Sequence, residues 1–162
     1  MSRDPLTELV ACADPPLYIV TTAAGGERAG CLVGFASQVS IRPPRFLAAV
    51  SVANRTWDVV RSATHLAVHV FGRERSDLIA LFGGETGDEV DKFSRCAWAD
   101  GPEGVPLLDG AQAWLVGRIL ERHDFGDHVG QLLEPIAGGG AGGSGGAVRL
   151  GDAHGLHPGH PA

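Results

Sequence analysis

The sequence lacks any long apolar run. No stretch approaches the roughly 18 consecutive apolar residues that a membrane-spanning helix needs. The first 16 residues carry acids and prolines where a signal peptide would have an apolar core. Excess positive charge is lacking too, since the formal net charge is -6 and no arginine-rich stripe is present. These absences predict a cytoplasmic protein that binds neither a membrane nor nucleic acid.

Motifs for metals and for phosphate-binding loops are also missing. The three cysteines, at positions 12, 31 and 96, form no Cys-x-x-Cys pair, which predicts three reduced thiols and no zinc site. Three histidines recur at positions 154, 157 and 160 of a Pro/Gly-rich tail, but nothing around them is typical of a metal site. There is neither a P-loop nor a strand-linked G-x-G-x-x-G. We therefore assign no metal and no nucleotide-binding loop of these types.

The length of 162 residues predicts one domain, large enough to bury roughly two-thirds of the surface of its unfolded chain. Residues 138–146 read GGGAGGSGG, too rich in glycine to hold one conformation. We therefore divide the chain into a lead segment over 1–16, a β-rich domain over 17–137, a flexible insert over 138–146, and an edge segment with a tail over 147–162.

Hydrophobic periodicity predicts many short strands and few helices. The predicted strands are Leu17–Thr22, Arg28–Ser37, Phe46–Ala53, His65–Phe71, Ala111–Glu121 and Val129–Glu134, with a possible edge strand at Ala147–Leu150. The predicted helices are Thr7–Cys12, Thr56–Ala63 and Arg73–Phe82. Several short strands with hairpin-like spacing predict a small β-barrel.

The most informative stretch is 29–56, AGCLVGFASQVSIRPPRFLAAVSVANRT. Two apolar runs flank a corner at Pro43–Pro44, and the second run ends in Asn54–Thr56, just before a predicted helix. The first backbone N–H groups of a helix are unpaired and favour an anion. An amide, a guanidinium and a hydroxyl there suit phosphate oxygens. The alternative is an ordinary helix cap with solvated neighbours, in which Asp58 already compensates the helix dipole.

A second candidate lies at Ala36–Ser40, which ends a predicted strand beside the Pro-Pro corner. Its small residues let a planar ring approach the backbone, whose exposed N–H and C=O groups then contact the edge of the ring. The alternative is a strand end with turn-forming serines, which is the more common case.

The third candidate is Gly126-Asp127-His128, between the predicted strands Ala111–Glu121 and Val129–Glu134. A histidine in a turn, oriented by an adjacent carboxylate, can act as a donor or proton relay near neutral pH. The alternative, favoured for an isolated Gly-Asp-His, is a polar turn without a chemical role.

In order and spacing, these blocks resemble the flavin reductase family of FMN-binding split barrels. The resemblance extends from Tyr18 to Pro135. The matching blocks are Ser37-x-x-Ser40-x-x-Pro43-Pro44, Asn54-Arg55-Thr56, His65–Val70, Leu81-Phe82-Gly83-Gly84, Asp91-Lys92-Phe93, Gly104–Leu108 and Gly126-Asp127-His128.

The resemblance implies a mainly β fold, a six-stranded split β-barrel of Greek-key type with a few short helices. It implies a homodimer with FMN or FAD bound near the subunit interface. The implied function is an NAD(P)H-dependent flavin reductase, in which hydride passes from NADH or NADPH to the flavin. The reduced flavin would then serve a partner monooxygenase.

The resemblance also implies roles for individual residues. His128 would position the nicotinamide reductant and is the catalytic candidate. Ser37 and Ser40 would contact the flavin, and Asn54, Arg55 and Thr56 its phosphate. The full set of implied cofactor-binding residues is Leu32, Val33, Ala36, Ser37, Gln38, Val39, Ser40, Val52, Ala53, Asn54, Arg55, Thr56, Lys92, Phe93 and Asp127.

Two departures from the family pattern leave other functions open. Leu32 stands where the family often has threonine, and Gly117 where it often has cysteine. The alternatives are an F420-dependent or ferric-chelate reductase on the same fold, and a non-catalytic flavin-binding or storage protein. A haem-binding split barrel is less favoured, because no histidine has an obvious axial-ligand context.

Overall fold

The protein is mainly β-structure. The computed structural model describes residues 4–84, 91–143 and 146–153. The strands are β1 Tyr18–Ala24, β2 Glu27–Val33, β3 Ala36–Ser40, β4 Arg45–Ser51, β5 His65–Val70, β6 Trp98–Asp100, β7 Pro106–Leu108, β8 Ala113–Asp124 and β9 His128–Gly139. The α-helices are α1 Pro5–Ala13, α2 Arg55–Val60 and α3 Ser76–Gly84, and 3-10 turns lie at Arg73–Arg75, Lys92–Ser94, Pro102–Gly104 and Leu150–Ala153.

Seven strands form one antiparallel sheet in the order β2-β1-β5-β8-β9-β4-β3. β2 and β3 lie at opposite edges of this sheet, yet only Gly34 and Phe35 separate them in the chain. The three Cα–Cα steps from Val33 to Ala36 span at most about 11 Å. The sheet therefore curls until its two edges meet at this link. No ladder of hydrogen bonds joins β2 to β3 within the described residues, so the sheet is not a closed barrel.

Apolar clusters lie on both faces of the curled sheet. One fills the inside of the curl and contains Val20, Cys31, Val33, Ala48, Val50, Val60, Leu66, Val68 and Leu133. The other lies between the outside of the sheet and α3 and contains Leu17, Ile19, Phe71, Leu78, Ile79, Leu81, Phe82, Phe93, Leu108, Ala111 and Val148. Strand alternation explains the division, because neighbours such as Ile19 and Val20 point to opposite faces.

The prediction of one strand over Arg28–Ser37 is wrong. The structure has two strands there, broken at Gly34 and Phe35. The break is invisible to hydrophobic periodicity because apolar residues continue across it. Its cause is long-range pairing: β2 binds to β1, whereas β3 binds to β4.

The last two strands are longer than predicted. β8 continues to Asp124 and β9 begins at His128, so the hairpin extends well beyond Glu121. The end of β8, Glu121–Asp124, is exposed at every residue and therefore lacks the apolar alternation that marks a half-buried strand. At its other end, β9 includes Gly138 and Gly139, which pair with Leu115 and Trp114. These two glycines belong to a strand and not to the predicted flexible insert.

The segment 147–150 does not form a continuous edge strand. It makes isolated bridges from Ala147 to Gly72 and from Arg149 to Pro16. Between them, Val148 donates to the carbonyl of Phe71 at 3.0 Å, and its own carbonyl accepts from Leu17 at 3.0 Å. The three predicted helices are present as α1, α2 and α3 with shifted ends, and the third begins as a 3-10 turn.

His69 on β5 is a fully buried histidine held neutral by its surroundings. Its Nδ1 donates to the carbonyl of Ile19 at 2.9 Å, and its Nε2 accepts from the backbone N–H of Leu108 at 3.1 Å. Burial lowers the pKa of His69 to about 4, against the weaker opposing effect of the bond to Ile19. The side chain therefore links β5 to β1 and β7 only as the neutral imidazole.

We expect the protein to lose stability as the pH falls from 6.5 toward 4. In this range the unfolded chain protonates His69 and the folded chain does not, so stability is full above pH 6.5. The lowered pKa corresponds to a loss of about 3 kcal/mol in the free energy of unfolding. Urea unfolding of the wild type, of His69→Gln and of the exposed control His123→Gln checks this. An equally steep pH dependence in His69→Gln would contradict it.

Gln131 on β9 is a buried amide inside the curl, with no exposed surface. Neither its Nε2 nor its Oε1 has a hydrogen-bond partner among the described residues. It points to the same face as Leu133 and lies opposite Ala48 in the β4–β9 ladder, so its surroundings are apolar. Burying a polar group without a partner destabilises the fold.

Replacing Gln131 with methionine, which has a similar shape, is expected to stabilise the protein. The gain in the free energy of unfolding is about 1–2 kcal/mol, because the desolvation cost of the amide disappears. Thermal or urea denaturation measures it, and Gln38→Met, at an exposed position of β3, serves as the control. A destabilised Gln131→Met variant would show that the amide has a partner in solution.

Candidate functional site

The larger of two adjoining cavities has a volume of about 350 Å³. It lies on the outer face of β4 and β9, beside the start of β3. Residues of β4 such as Leu47 and Ala49 point outward there, while Ala48 and Val50 point into the curl. The lining residues are Phe35, Ala36, Ser37, Leu47, Ala49, Phe125, Asp127 and His128. The floor of this cavity is apolar and includes the small side chains of Ala36 and Ala49. The polar side chains that line it are Ser37, Asp127 and His128.

The smaller cavity has a volume of about 110 Å³ and lies where the two sheet edges meet. The end of β2 forms one wall, and β4 with the residues that follow it forms the other. The lining residues are Cys31, Leu32, Val33, Gly34, Phe35, Ala49, Ser51, Asn54 and His128. Phe35, Ala49 and His128 line both cavities, so the two spaces adjoin at these residues.

His128 begins β9 and is the best-positioned titratable group of the site. It lies opposite Ser51 in the β4–β9 ladder, on the outer face of the sheet. Its Nδ1 is 2.7 Å from Oδ1 of Asp127, so the carboxylate accepts the Nδ1 proton. The phenyl ring of Phe35 lies against the imidazole, with ring centroids 4.6 Å apart and planes inclined by 54°. These contacts leave Nε2 as the nitrogen available to a ligand.

Phe125, at the tip of the β8–β9 hairpin, borders the larger cavity from the other side. Its ring lies on Gly130 of β9, where a Cβ atom would come within 2.5 Å of Phe125 Cε2. Glycine at position 130 therefore allows the aromatic ring to approach the strand closely.

The polar side chains at the start of α2 make hydrogen bonds and ion pairs within the fold. The Oδ1 of Asn54 accepts from the backbone N–H of Thr56 at 2.9 Å and caps the helix. The guanidinium of Arg55 forms ion pairs with Glu27 and, at 3.3 Å, with Asp58. Thr56 is buried, with 2% of its surface exposed. Of this predicted trio only Asn54 lines a cavity.

Cys31 lines the smaller cavity as a buried thiol. Burial raises its pKa, whereas the side chain of Thr56 and the charge of Lys92 lower it in part. With its pKa raised overall, the thiol stays protonated near neutral pH. It therefore contributes an uncharged wall to the cavity and not a thiolate nucleophile.

Lys92 and Phe93 belong to the packing beneath α3. The Nζ of Lys92 donates to the carbonyls of Gly30 at 3.1 Å and of Phe82 at 3.4 Å, and 4% of the residue is exposed. Phe93 is likewise buried and contacts the ring of Phe82. Neither residue lines the two cavities.

The structure brings about half of the predicted site residues together. Those that line one cavity or both are Leu32, Val33, Ala36, Ser37, Asn54, Asp127 and His128. Those that line neither are Gln38, Val39, Ser40, Val52, Ala53, Arg55, Thr56, Lys92 and Phe93. Within β3 the side chains bond locally, from Ser37 to the carbonyl of Gln38 and from Gln38 to the carbonyl of Ser40.

Sequence reasoning missed several lining residues: Cys31, Gly34, Phe35, Leu47, Ala49, Ser51 and Phe125. The alternation within β4 is a signal that marks Leu47, Ala49 and Ser51 as sharing a face. Phe125 carries a signal too, as an aromatic residue directly before Gly126-Asp127-His128. No local signal shows that these segments meet.

Neither a metal centre nor a membrane span is found in the described part of the chain. No group of three or more His, Cys, Asp and Glu side chains is placed there to hold a metal ion. The tail histidines at 154, 157 and 160 lie outside the described residues. None of the described helices has the length and apolar character to cross a bilayer.

Comparison with known proteins gives the family. Residues 12–144 match the sequence model described as "Flavin reductase like domain". The chain belongs to this family, which confirms the resemblance seen in the sequence motifs.

Two curated relatives are reductases. The chain is 30% identical over 132 residues to the 4-hydroxyphenylacetate 3-monooxygenase reductase component of Salmonella typhimurium, covering 81% of this chain and 75% of the relative. It is also 30% identical over 135 residues to the FMN reductase (NADH) RutF of Stutzerimonas stutzeri, covering 83% of this chain and 75% of the relative. Both names agree with the activity that the sequence motifs predict.

Solved structures share the fold. The NADH:FAD oxidoreductase SgcE6 of Streptomyces globisporus matches with a TM-score of 0.74 and 26% identity, covering 86% of each chain. A structure from Sinorhizobium meliloti matches with a TM-score of 0.79 over 93% of this chain. The match covers only about half, 52%, of the Sinorhizobium protein. At 24% identity the second likeness shows the fold alone.

Proposed function

We propose that this protein is an NADH- or NADPH-dependent flavin reductase that acts on FMN or FAD and supplies reduced flavin to a partner monooxygenase. One structural observation carries the proposal: two adjoining cavities share His128, whose Nδ1 is held by Asp127. Hydride transfer needs the nicotinamide next to the flavin ring, and His128 lies at the larger cavity, to which that ring is assigned, where the smaller cavity adjoins it. The relatives named as reductases supply the reaction class.

The residues of the two cavities fit a flavin. Small and apolar side chains such as Ala36 and Ala49 make a floor that a planar ring can approach closely. At the other end, the hydroxyl of Ser51 and the amide of Asn54 offer polar contacts. When bound, the flavin supplies the redox chemistry, and the protein supplies binding, orientation and electrostatics.

His128 is assigned the role of positioning the reductant. Asp127 fixes the tautomer by accepting the Nδ1 proton, so Nε2 is the nitrogen that hydrogen-bonds to a ligand in the larger cavity. Because Asp127 is largely exposed, at 71% for its side chain, this pair remains in contact with solvent and can exchange protons with it.

The phosphate end of the flavin is assigned to Asn54, Arg55 and Thr56. Asn54 supports this assignment because it lines the smaller cavity. Arg55 supports it only if its guanidinium exchanges Glu27 or Asp58 for a phosphate, which its exposed ion pairs allow at low cost. The remaining contacts inferred from the family, Lys92 and Phe93 among them, stay predictions, as does a cytoplasmic location.

We assign the fold to the split-barrel type and the assembly to a homodimer. The curl that brings the edge strands together at Gly34 and Phe35 supports the first assignment. Exposed apolar side chains around β3 and the cavities support the second, since such surfaces mark interfaces. Those side chains are Phe35, Val39, Ile41, Val52 and Phe125, which are 45–77% exposed.

The purified protein is expected to oxidise NADH or NADPH when FMN or FAD is added. His128→Ala should lower kcat/KM for the nicotinamide at least about tenfold, because reductant positioning is lost. His123→Ala, at an exposed histidine of the same hairpin, is the control. Visible spectra, NADH oxidation assays and light scattering of one preparation test the cofactor, the activity and the homodimer together. A tight yellow complex that never oxidises NADH or NADPH would instead identify a flavin-storage protein.

Arg55→Ala is expected to weaken FMN binding about tenfold and to leave riboflavin binding unchanged. Riboflavin lacks the phosphate, and a charge-assisted contact to phosphate is worth about 1.4 kcal/mol or more. Fluorescence titration gives both affinities, and Arg61→Ala, just after α2, removes the same charge as a control. An unchanged ratio of FMN to riboflavin affinity in Arg55→Ala would show that this arginine only forms ion pairs.

A further inference from the structure

Phe35 occupies an unusual position, because it is a large apolar side chain that is 59% exposed at the boundary of both cavities. Its backbone is anchored, since its carbonyl accepts from the N–H of Ala49 at 2.9 Å. It lies in the two-residue link between β2 and β3. The fold thus fixes the backbone position of Phe35, while more than half of the residue remains exposed.

The main aromatic contact of Phe35 is the imidazole of His128, 4.6 Å away between centroids. Such tilted aromatic pairs are favourable beyond the area they bury. The phenyl ring packs against an imidazole whose Nδ1 is already hydrogen-bonded to Asp127. A hydrogen bond to an exposed carboxylate competes with water, so by itself it leaves the imidazole free to swing away from Asp127. A phenyl ring packed against the imidazole limits this freedom.

We propose that Phe35 is a positioning residue that holds the His128 imidazole at the boundary of the two cavities, with Nε2 presented to the ligand. Asp127 accepts the Nδ1 proton, and Phe35 keeps the imidazole within reach of this carboxylate. This inference rests on the proposed role of His128 in reductant binding. It adds a residue that affects the reaction only through its contact with His128.

The chain offers a matched control in Phe125. It is also phenylalanine, is also 59% exposed and also lines the larger cavity. Its ring stacks near His123, at 6.2 Å between centroids, and lies on Gly130, with no ring contact to His128 among the described residues. Truncating Phe125 therefore enlarges the cavity and removes apolar surface without releasing the imidazole.

A double-mutant cycle with His128→Ala tests the proposal in the full-length protein. Phe35→Ala should lower kcat/KM for NADH about 2- to 10-fold in the wild-type background and have no further effect in His128→Ala. Phe35→Tyr, which keeps the ring, should restore the wild-type value. Any effect of Phe125→Ala should be the same in both backgrounds. An equal loss from Phe35→Ala in both backgrounds would overturn the proposal, because Phe35 would then only shape the cavity.

NMR of the ¹⁵N-histidine-labelled, flavin-free protein separates this proposal from the proposed function. A held Nδ1–H tautomer gives His128 two well-separated nitrogen resonances. Phe35→Ala should draw them together, because an imidazole that swings leaves Asp127 part of the time and then exchanges between tautomers. Phe125→Ala and Phe35→Tyr should leave the two resonances in place. Unchanged resonances in Phe35→Ala would overturn the positioning role even if NADH oxidation is confirmed. Shifted resonances in a protein without NADH oxidation would support the contact and reject the enzymatic function.

Discussion

The two-residue link at Gly34 and Phe35 is the constraint on which the rest of the structure depends. It joins strands at opposite edges of a seven-stranded sheet, so the sheet has to curl. The curl creates an enclosed apolar cluster on one face and leaves the other face for α3 and for ligands. A longer link would allow a flatter sheet, in which β2 and β4 would no longer face each other across one core.

The candidate site is a direct consequence of this curl. Its walls come from the end of β2, the outer face of β4 and the start of β9, which meet only because the edges of the sheet converge. Phe35 lies at the point of convergence and His128 begins the strand beside it. The link that makes the sheet curl therefore also shapes the cavities, so a change in the length of the link is expected to affect folding and binding together.

Much of this fold could be predicted from the sequence, because strands such as β1 and β5 show alternating or continuous apolar patterns bounded by turn residues. The Gly-Asp-His turn was also recognisable. The break at Gly34 was not, because its cause is pairing with strands far away in the chain. Similarly, nothing near Arg55 predicts its ion pair with Glu27, which lies 28 residues earlier at the start of β2.

Side-chain chemistry at a helix start is therefore a weaker guide to a binding site than its residue types suggest. Asn54 caps α2, Thr56 is buried, and Arg55 is neutralised by two carboxylates, so each of these groups contributes first to the fold. Recognition of a phosphate there requires the ligand to compete with existing partners, and the exposed ion pairs of Arg55 are the ones that give way most easily. The ring end has no such competition, because small apolar residues and one held histidine already form its walls. In the proposed site, selectivity for the flavin ring therefore comes from the curled sheet, whereas selectivity for its phosphate depends on how readily Arg55 leaves Glu27.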